Sequence, residues 1–286
     1  MPEHAEIMDD VCGLLVADAA DGGRAHKVWP GMLNQAYPEL KGLSLDVMMV
    51  RFVLRSLQHR NAGVGSDFRE FCAGRGNLTF QLLRKGLKGF AFDKAYSSSH
   101  DMCTKIGLRL WLDAISDSRP GSLDWFGTKC SPFVGINKRN SKRYIENGWM
   151  GDESREFVRH GNLQMLVTSL AFALSCLCKN HVVLEQPVTS CMPLCQPLAM
   201  LIKHFKCQRV ITWHGAFDKE SPKCLQLITT LEGLKRARRA RPKDCKKKIY
   251  KKTKNGKFNG IKKQLSGSQV YSVEFAKCIA NIVAQQ

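Results

Sequence analysis

The chain has 286 residues, room for one large domain or two ordinary ones. Its 44% hydrophobic and 8% aromatic content excludes global disorder and a collagen-like repeat. Lys and Arg total 44 against 25 Asp and Glu, and the resulting formal charge of +19 suits a phosphate-rich partner, either nucleic acid or an anionic surface. Twelve cysteines accompany an opening, MPEHAEIMDD, that is polar and acidic where a secretory leader is basic and then apolar. Reduced thiols in the cytosol or nucleus are therefore expected, and neither secretion nor a disulfide framework.

The charge divides the chain. Between Lys235 and Lys263 there are 15 Lys or Arg and one acid, Asp244, so this stretch carries +14 of the +19. The expected organisation is an N-terminal helical segment (1–65), an α/β body (66–232), a self-repelling basic tail that is flexible (233–268), and a C-terminal helix packing back on the body (269–286). In chain order, residues 43–60 (LSLDVMMVRFVLRSLQHR) show helical spacing of apolar residues. DFREFCAG (67–74) reads as a strand, 77–85 as a short helix, GFAFD (89–93) as a strand and 100–104 as a short third one. Residues 106–116 read as a helix, SLDWFGTKC (122–130) as a strand, and 137–160 as a polar loop. The uncharged run Gly161–Cys178 is near the lower limit of a membrane span, but its Asn, Gln, Thr and Ser and the strand that follows argue for a helix buried against a sheet. Then come VVLEQP (182–187) as a strand, 194–204 as a helix, RVITWH (209–214) as a strand and LQLITT (225–230) as a last strand. Strands separated by helices imply a mostly parallel sheet covered on both faces. Ligands of such sheets lie beyond the carboxyl ends of the strands.

Four features gather at those ends. E-F-C-A-G-R-G-N-L-T (Glu70–Thr79) supplies Gly74 and Gly76 for a sharp turn and close approach of a ligand. Asp93 follows the next strand, placed to accept ribose hydroxyls. Cys130 follows the strand containing Trp125, where Lys129 is expected to lower its thiol pKa and make it a nucleophile. Glu185, in L-E-Q-P, ends the following strand. A dinucleotide-dependent oxidoreductase also uses Gly-x-Gly followed by an acid, but G-R-G-N-L-T lacks the third glycine of that fingerprint.

Together these motifs resemble the S-adenosylmethionine-dependent methyltransferases, more narrowly the divergent carbon-5 cytosine DNA methyltransferases. Their first motif, D-L-F-A-G-x-G-G, is similar to E-F-C-A-G-R-G-N here. The resemblance implies a Rossmann-like methyltransferase fold with S-adenosyl-L-methionine as cofactor. Glu70, Cys72, Gly74 and Gly76 would line its methionine side, Asp93 would hold its ribose and Asp101, in H-D-M-C, would contact its adenine. Cys130, in K-C, stands for the nucleophile of the P-C motif, and Glu185, in E-Q-P, for the acid of E-N-V. Y-S-V-E-F-A-K-C-I-A-N-I-V resembles the family's closing helix. Lys129 replaces the family's proline, Gln186 replaces its asparagine, and only Lys223 supplies charge where a Gln-x-Arg-x-Arg motif is expected. The alternative is a catalytically inactive scaffold that binds nucleic acid through its basic tail.

The remaining expectations concern partners. Lys138, Arg139, Lys142 and Arg143 in the polar loop, and Arg236, Arg238, Arg239, Lys246, Lys247 and Lys248 in the tail, are the candidate contacts to nucleic acid, DNA before RNA, and the tail also reads as a nuclear import signal. Cys176 and Cys178, and Cys191 and Cys195, lack zinc-knuckle spacing, so no metal is expected. His214, in W-H-G-A-F, serves either substrate contact or structure.

Overall fold

The computed structural model describes residues 65–218, 221–243, 250–252, 258–260 and 270–286, of which 250–252 and 258–260 are considered as backbone. The helical pattern of 43–60 and Lys246, Lys247 and Lys248 lie outside the described residues.

Six strands build one sheet: β1 (Phe68–Phe71), β2 (Gly89–Phe92), β3 (Leu123–Phe126), β4 (His181–Pro187), β5 (Gln208–Trp213) and β6 (Cys224–Thr229). Their spatial order is β2-β1-β3-β4-β6-β5. β1 pairs in parallel with β2 and β3, and β3 with β4; β6 runs antiparallel between β4 and β5. The sheet is therefore mixed but mostly parallel. The reversal follows from chain length: residues 214–223 are too short for a helical crossover, so β6 returns beside β5 in the opposite direction.

Among the described residues, five helices of eight or more residues cover the sheet: α1 (Asn77–Arg84), α2 (Lys105–Ser116), α3 (Glu156–Leu177), α4 (Gln196–His204) and α5 (Val273–Val283). Side chains alternate across the pleat and so feed two cores. Phe71, Phe92, Phe126 and Leu184 pack under α2, α3 and α4. Phe68, Leu123, Trp125, Val183 and Leu227 pack under α1 and α5. α3 is apolar nearly all round, which suits a helix enclosed by protein. No helix among the described residues is long and apolar enough to cross a membrane. Thr104 caps α2 by accepting from the Gly107 N–H, and Ser272 caps α5 by accepting from that of Phe275. At the amino ends of the strands, the buried pair Arg69–Asp124 (2.5 Å) is completed by Ser122 and Asn180.

Several local expectations are corrected. Residues 100–104 form no strand: Ser98–His100 is a 3-10 turn. The side chain of Ser97 accepts from Ser99 N–H, Asp101 from Cys103 N–H and Thr104 from Gly107 N–H, so local bonds satisfy a backbone that would otherwise seek a ladder. β3 stops at Phe126, leaving Cys130 in the loop beyond it. The 137–160 region carries one-turn elements at Gly135–Asn137, Lys138–Ser141 and Ile145–Asn147 before α3 begins. The body also continues past residue 232: Glu232–Ala237 is a 3-10 turn that buries Leu234 and Ala237, and Arg239 bridges to Thr212. Farther along, β7 (Tyr250–Lys252) and β8 (Phe258–Gly260) pair antiparallel.

Candidate active site

The turn from β1 into α1 holds three residues in the left-handed region, Cys72 (φ 58°), Gly74 (φ 60°) and Gly76 (φ 67°). Gly74 is exposed, and a Cβ built on it would meet nothing within 4 Å, so open space lies over the turn. The Gly74 N–H donates to Asp93 Oδ2 (2.8 Å) and the Ala95 N–H to Oδ1 (2.8 Å). Asp93 thereby ties the turns after β1 and β2 together, and each oxygen keeps a lone pair for a further donor. Glu70 is fully buried on β1. Its Oε2 accepts from the Thr79 N–H (2.8 Å) and hydroxyl (2.6 Å), while Oε1 has no partner. Burial pushes the Glu70 carboxyl up to about 7, outweighing the Thr79 hydrogen bonds, and Asp93 adds to the rise. The Cys72 thiol is driven up by burial and sits 3.9 Å from the Met102 sulfur. Asp101 turns inward on its own loop, accepting from Cys103 N–H (3.0 Å).

The loops after β3 and β4 form the second half. Cys130 is half-buried, and its carbonyl accepts from Phe133 N–H (2.8 Å). Its thiol is raised, contrary to the expectation drawn from Lys129. Burial dominates, Glu185 adds to it, and Lys223 is the main opposing charge; Lys129 is exposed and contributes least. Glu185 is 6% exposed. Lys223 Nζ lies 3.3 Å from its Oε1, and the Tyr271 hydroxyl donates to Oε2 (3.2 Å). Burial alone would lower the Lys223 ammonium, but Glu185 and Cys130 overcome it and hold it raised. Lys223 reaches Glu185 because β6 runs antiparallel beside β4, with Leu227 opposite Glu185 and Leu225 opposite Pro187.

Gln186 fastens the two exits together, its Nε2 donating to the Thr128 carbonyl (2.7 Å) and its Oε1 accepting from the Ser190 hydroxyl (2.9 Å). Gly161 of α3 provides clearance for the same loop, since a Cβ there would stand 2.8 Å from two carbons of Pro132. His214 is 2% exposed, with burial lowering its pKa. It accepts the Ser272 N–H at Nε2 (3.0 Å) and faces Asp218 across 3.4 Å, which fits the structural role. Sequence reasoning missed Tyr271. Its only signal was membership of the Y-S-V-E-F-A segment, because its partners, Asn77, Trp125 and Glu185, are distant in the chain.

The basic candidates separate by exposure. Arg139 is exposed, Lys138 lies over the rings of Tyr144 (5.0 Å) and Trp149 (5.7 Å), and Lys142 pairs with Asp152 (3.0 Å). Arg143 is corrected to a structural residue: it is 1% exposed, donates to the carbonyls of Pro132 (2.8 Å) and Trp149 (2.6 Å), and stacks on Phe133 (4.0 Å). Burying its guanidinium against carbonyls fixes the loop and removes it from any surface partner. Arg236, Arg238 and Arg239 are exposed, and Arg236, Arg239 and Lys277 line an open groove of about 430 Å³ beside α5. Among the described residues no group of three or more His, Cys, Asp or Glu is placed to hold a metal ion. Comparison with protein-family models, with curated proteins and with solved structures finds no match to this chain.

Proposed function

We propose that the protein is an S-adenosylmethionine-dependent methyltransferase acting on nucleic acid, DNA before RNA, with Cys130 adding to cytosine so that carbon-5 is methylated. One observation carries this reading: the open glycine turn with Asp93 and the Cys130–Glu185–Lys223 cluster stand at the exits of neighbouring strands of one sheet. The residues fit the cofactor. Gly74 leaves room for it, the unpartnered Glu70 Oε1 suits an ammonium group, and Asp93 keeps acceptor capacity for ribose hydroxyls. The adenine contact of Asp101 rests on the resemblance alone, its carboxylate being engaged with Cys103 N–H.

The cofactor supplies an electrophilic methyl group. Carbon-5 of cytosine is a poor nucleophile, so the Cys130 thiolate adds to carbon-6 and moves electron density onto carbon-5. Glu185 hydrogen-bonds the ring nitrogen and amino edge, and Lys223 opposes the cost of ionising a thiol that burial disfavours. Carbon-5 takes the methyl as the donor's sulfur–methyl bond breaks and a neutral thioether leaves. The carbon-5 proton then passes to solvent, and its electron pair re-forms the carbon-5 to carbon-6 double bond and expels Cys130 as the thiolate. The base reaches this site only outside the stack, and the basic run from Lys235 to Lys263 supplies the attraction to phosphate.

The test is methyl transfer from labelled cofactor to DNA and to RNA, comparing the native protein with Cys130→Ser. Label that depends on the thiol supports the reading, whereas equal labelling by both proteins overturns thiol addition. The raised Cys130 thiol favours a second reading, a scaffold that binds nucleic acid without modifying it. Salt-dependent binding with no label from either protein would establish that reading instead.

A further inference from the structure

We infer that Tyr271 is a positioning residue of this site: its hydroxyl holds the Glu185 carboxylate beside Cys130, so the C-terminal segment sets the state of the thiol jointly with the sheet. The inference rests on reading Cys130 and Glu185 as the working pair, and does not depend on which substrate they act upon. Trp125 Nε1–H donates to the Tyr271 oxygen (2.9 Å), which leaves the phenolic proton to go to Glu185 Oε2 (3.2 Å). The hydroxyl fits because residue 127 is glycine, where a Cβ would stand 3.2 Å from it.

The main chain of Tyr271 is anchored on both sides. Its carbonyl accepts from Asn77 Nδ2 (2.6 Å) in the first turn of α1, and the next N–H, that of Ser272, goes to His214 (3.0 Å). Its ring meets Trp125 (5.9 Å) and Phe275 (5.3 Å). One residue therefore connects the helix that follows the glycine turn, through its carbonyl, with β3 and the acid of β4, through its hydroxyl. The titratable groups around it are Glu185, Glu70, Lys223, Cys130 and the His214–Asp218 pair. Burial raises the phenol well above its ordinary value, so it stays protonated and acts toward Glu185 as a donor. A carboxylate held in place there raises the neighbouring thiol, and loss of the hydroxyl weakens that hold.

Alkylation of Cys130 by iodoacetamide in the full-length protein, followed by peptide mass spectrometry from neutral to alkaline pH, reads the thiolate without requiring methyl transfer. Glu185→Gln removes the negative neighbour and leaves Lys223, so the rate at pH 8 is expected to rise about threefold to tenfold, a fall of about half to one pH unit in the thiol. Tyr271→Phe is expected to shift the rate the same way, and the double variant to match Glu185→Gln alone. A Tyr271→Phe profile equal to the native one, or additivity in the double variant, would overturn the role of Tyr271. No effect of Glu185→Gln would overturn the pairing beneath it. If Tyr271→Phe fails to fold, Asn77→Ala, which frees the Tyr271 main chain, is held to the same outcomes.

Discussion

Glu70→Gln is expected to stabilise the protein above neutral pH and to leave it nearly unchanged in acid. The carboxyl titrates at about 7 in the fold against an ordinary 4.5. Below both values folded and unfolded chains hold the proton equally, and nothing is lost. Between them the fold retains a proton that the unfolded chain has released, so stability falls as pH rises. The loss is complete once the folded carboxyl ionises as well. At about 1.4 kcal/mol for each tenfold step, the gap corresponds to about 3 kcal/mol by pH 8. The side chain is fully buried, so solvent screening removes little of this. Glutamine is neutral throughout and keeps an oxygen for the Thr79 N–H and hydroxyl. Urea denaturation of both proteins at several pH values from 4.5 to 8 isolates the residue, because every other titration is shared. Parallel stability profiles, or a variant less stable than the native protein at pH 8, would show that the buried charge is compensated and refute the argument.

Asp124→Leu strands the Arg69 charge inside the sheet and is expected to cost about 3–5 kcal/mol in chemical denaturation, whereas Arg69→Met with Asp124→Leu together recovers much of that loss. Gly161→Ala gains helix propensity but drives a methyl into Pro132. A net loss of about 1–3 kcal/mol is expected, and an unchanged or higher melting temperature would contradict the close approach. Arg143→Met is expected to destabilise the protein by more than 2 kcal/mol, a magnitude of about that size following from its stranded carbonyl partners, whereas Arg139→Met leaves stability within about 0.5 kcal/mol. If Arg139 meets phosphate, only its substitution lowers the salt dependence of DNA binding, by a slope of about one.

The strands and helices of the body were legible because each is dictated locally, by alternation, helical spacing, capping residues and the glycines at 74 and 76. Residues 100–104 read as a strand from Met102, Cys103 and Thr104, whereas the side chains of Ser97, Asp101 and Thr104 bond to nearby backbone and turn the chain instead. Charge dominates the composition of residues 137–160 and 233–239, so they read as a polar, partner-contacting loop and as the start of a flexible tail. Their structure is decided by the few residues that composition averages away, such as Leu234, Ala237 and the carbonyl-bound Arg143.

What the sequence alone determined is the set of rim residues, since strand ends are local features: Gly74, Asp93 and Cys130 each lie beyond a strand, and Glu185 lies near the carboxyl end of β4. Tertiary structure decided their chemistry. Lys223 meets Glu185 because β6 enters the sheet antiparallel, and Tyr271 reaches both Trp125 and Glu185 across long stretches of chain. Burial and the spacing of charges in three dimensions, rather than the adjacent Lys129, set the Cys130 thiol. An ionisation equilibrium responds to solvent exclusion and through-space distance, and neither quantity is written in the order of residues along the chain.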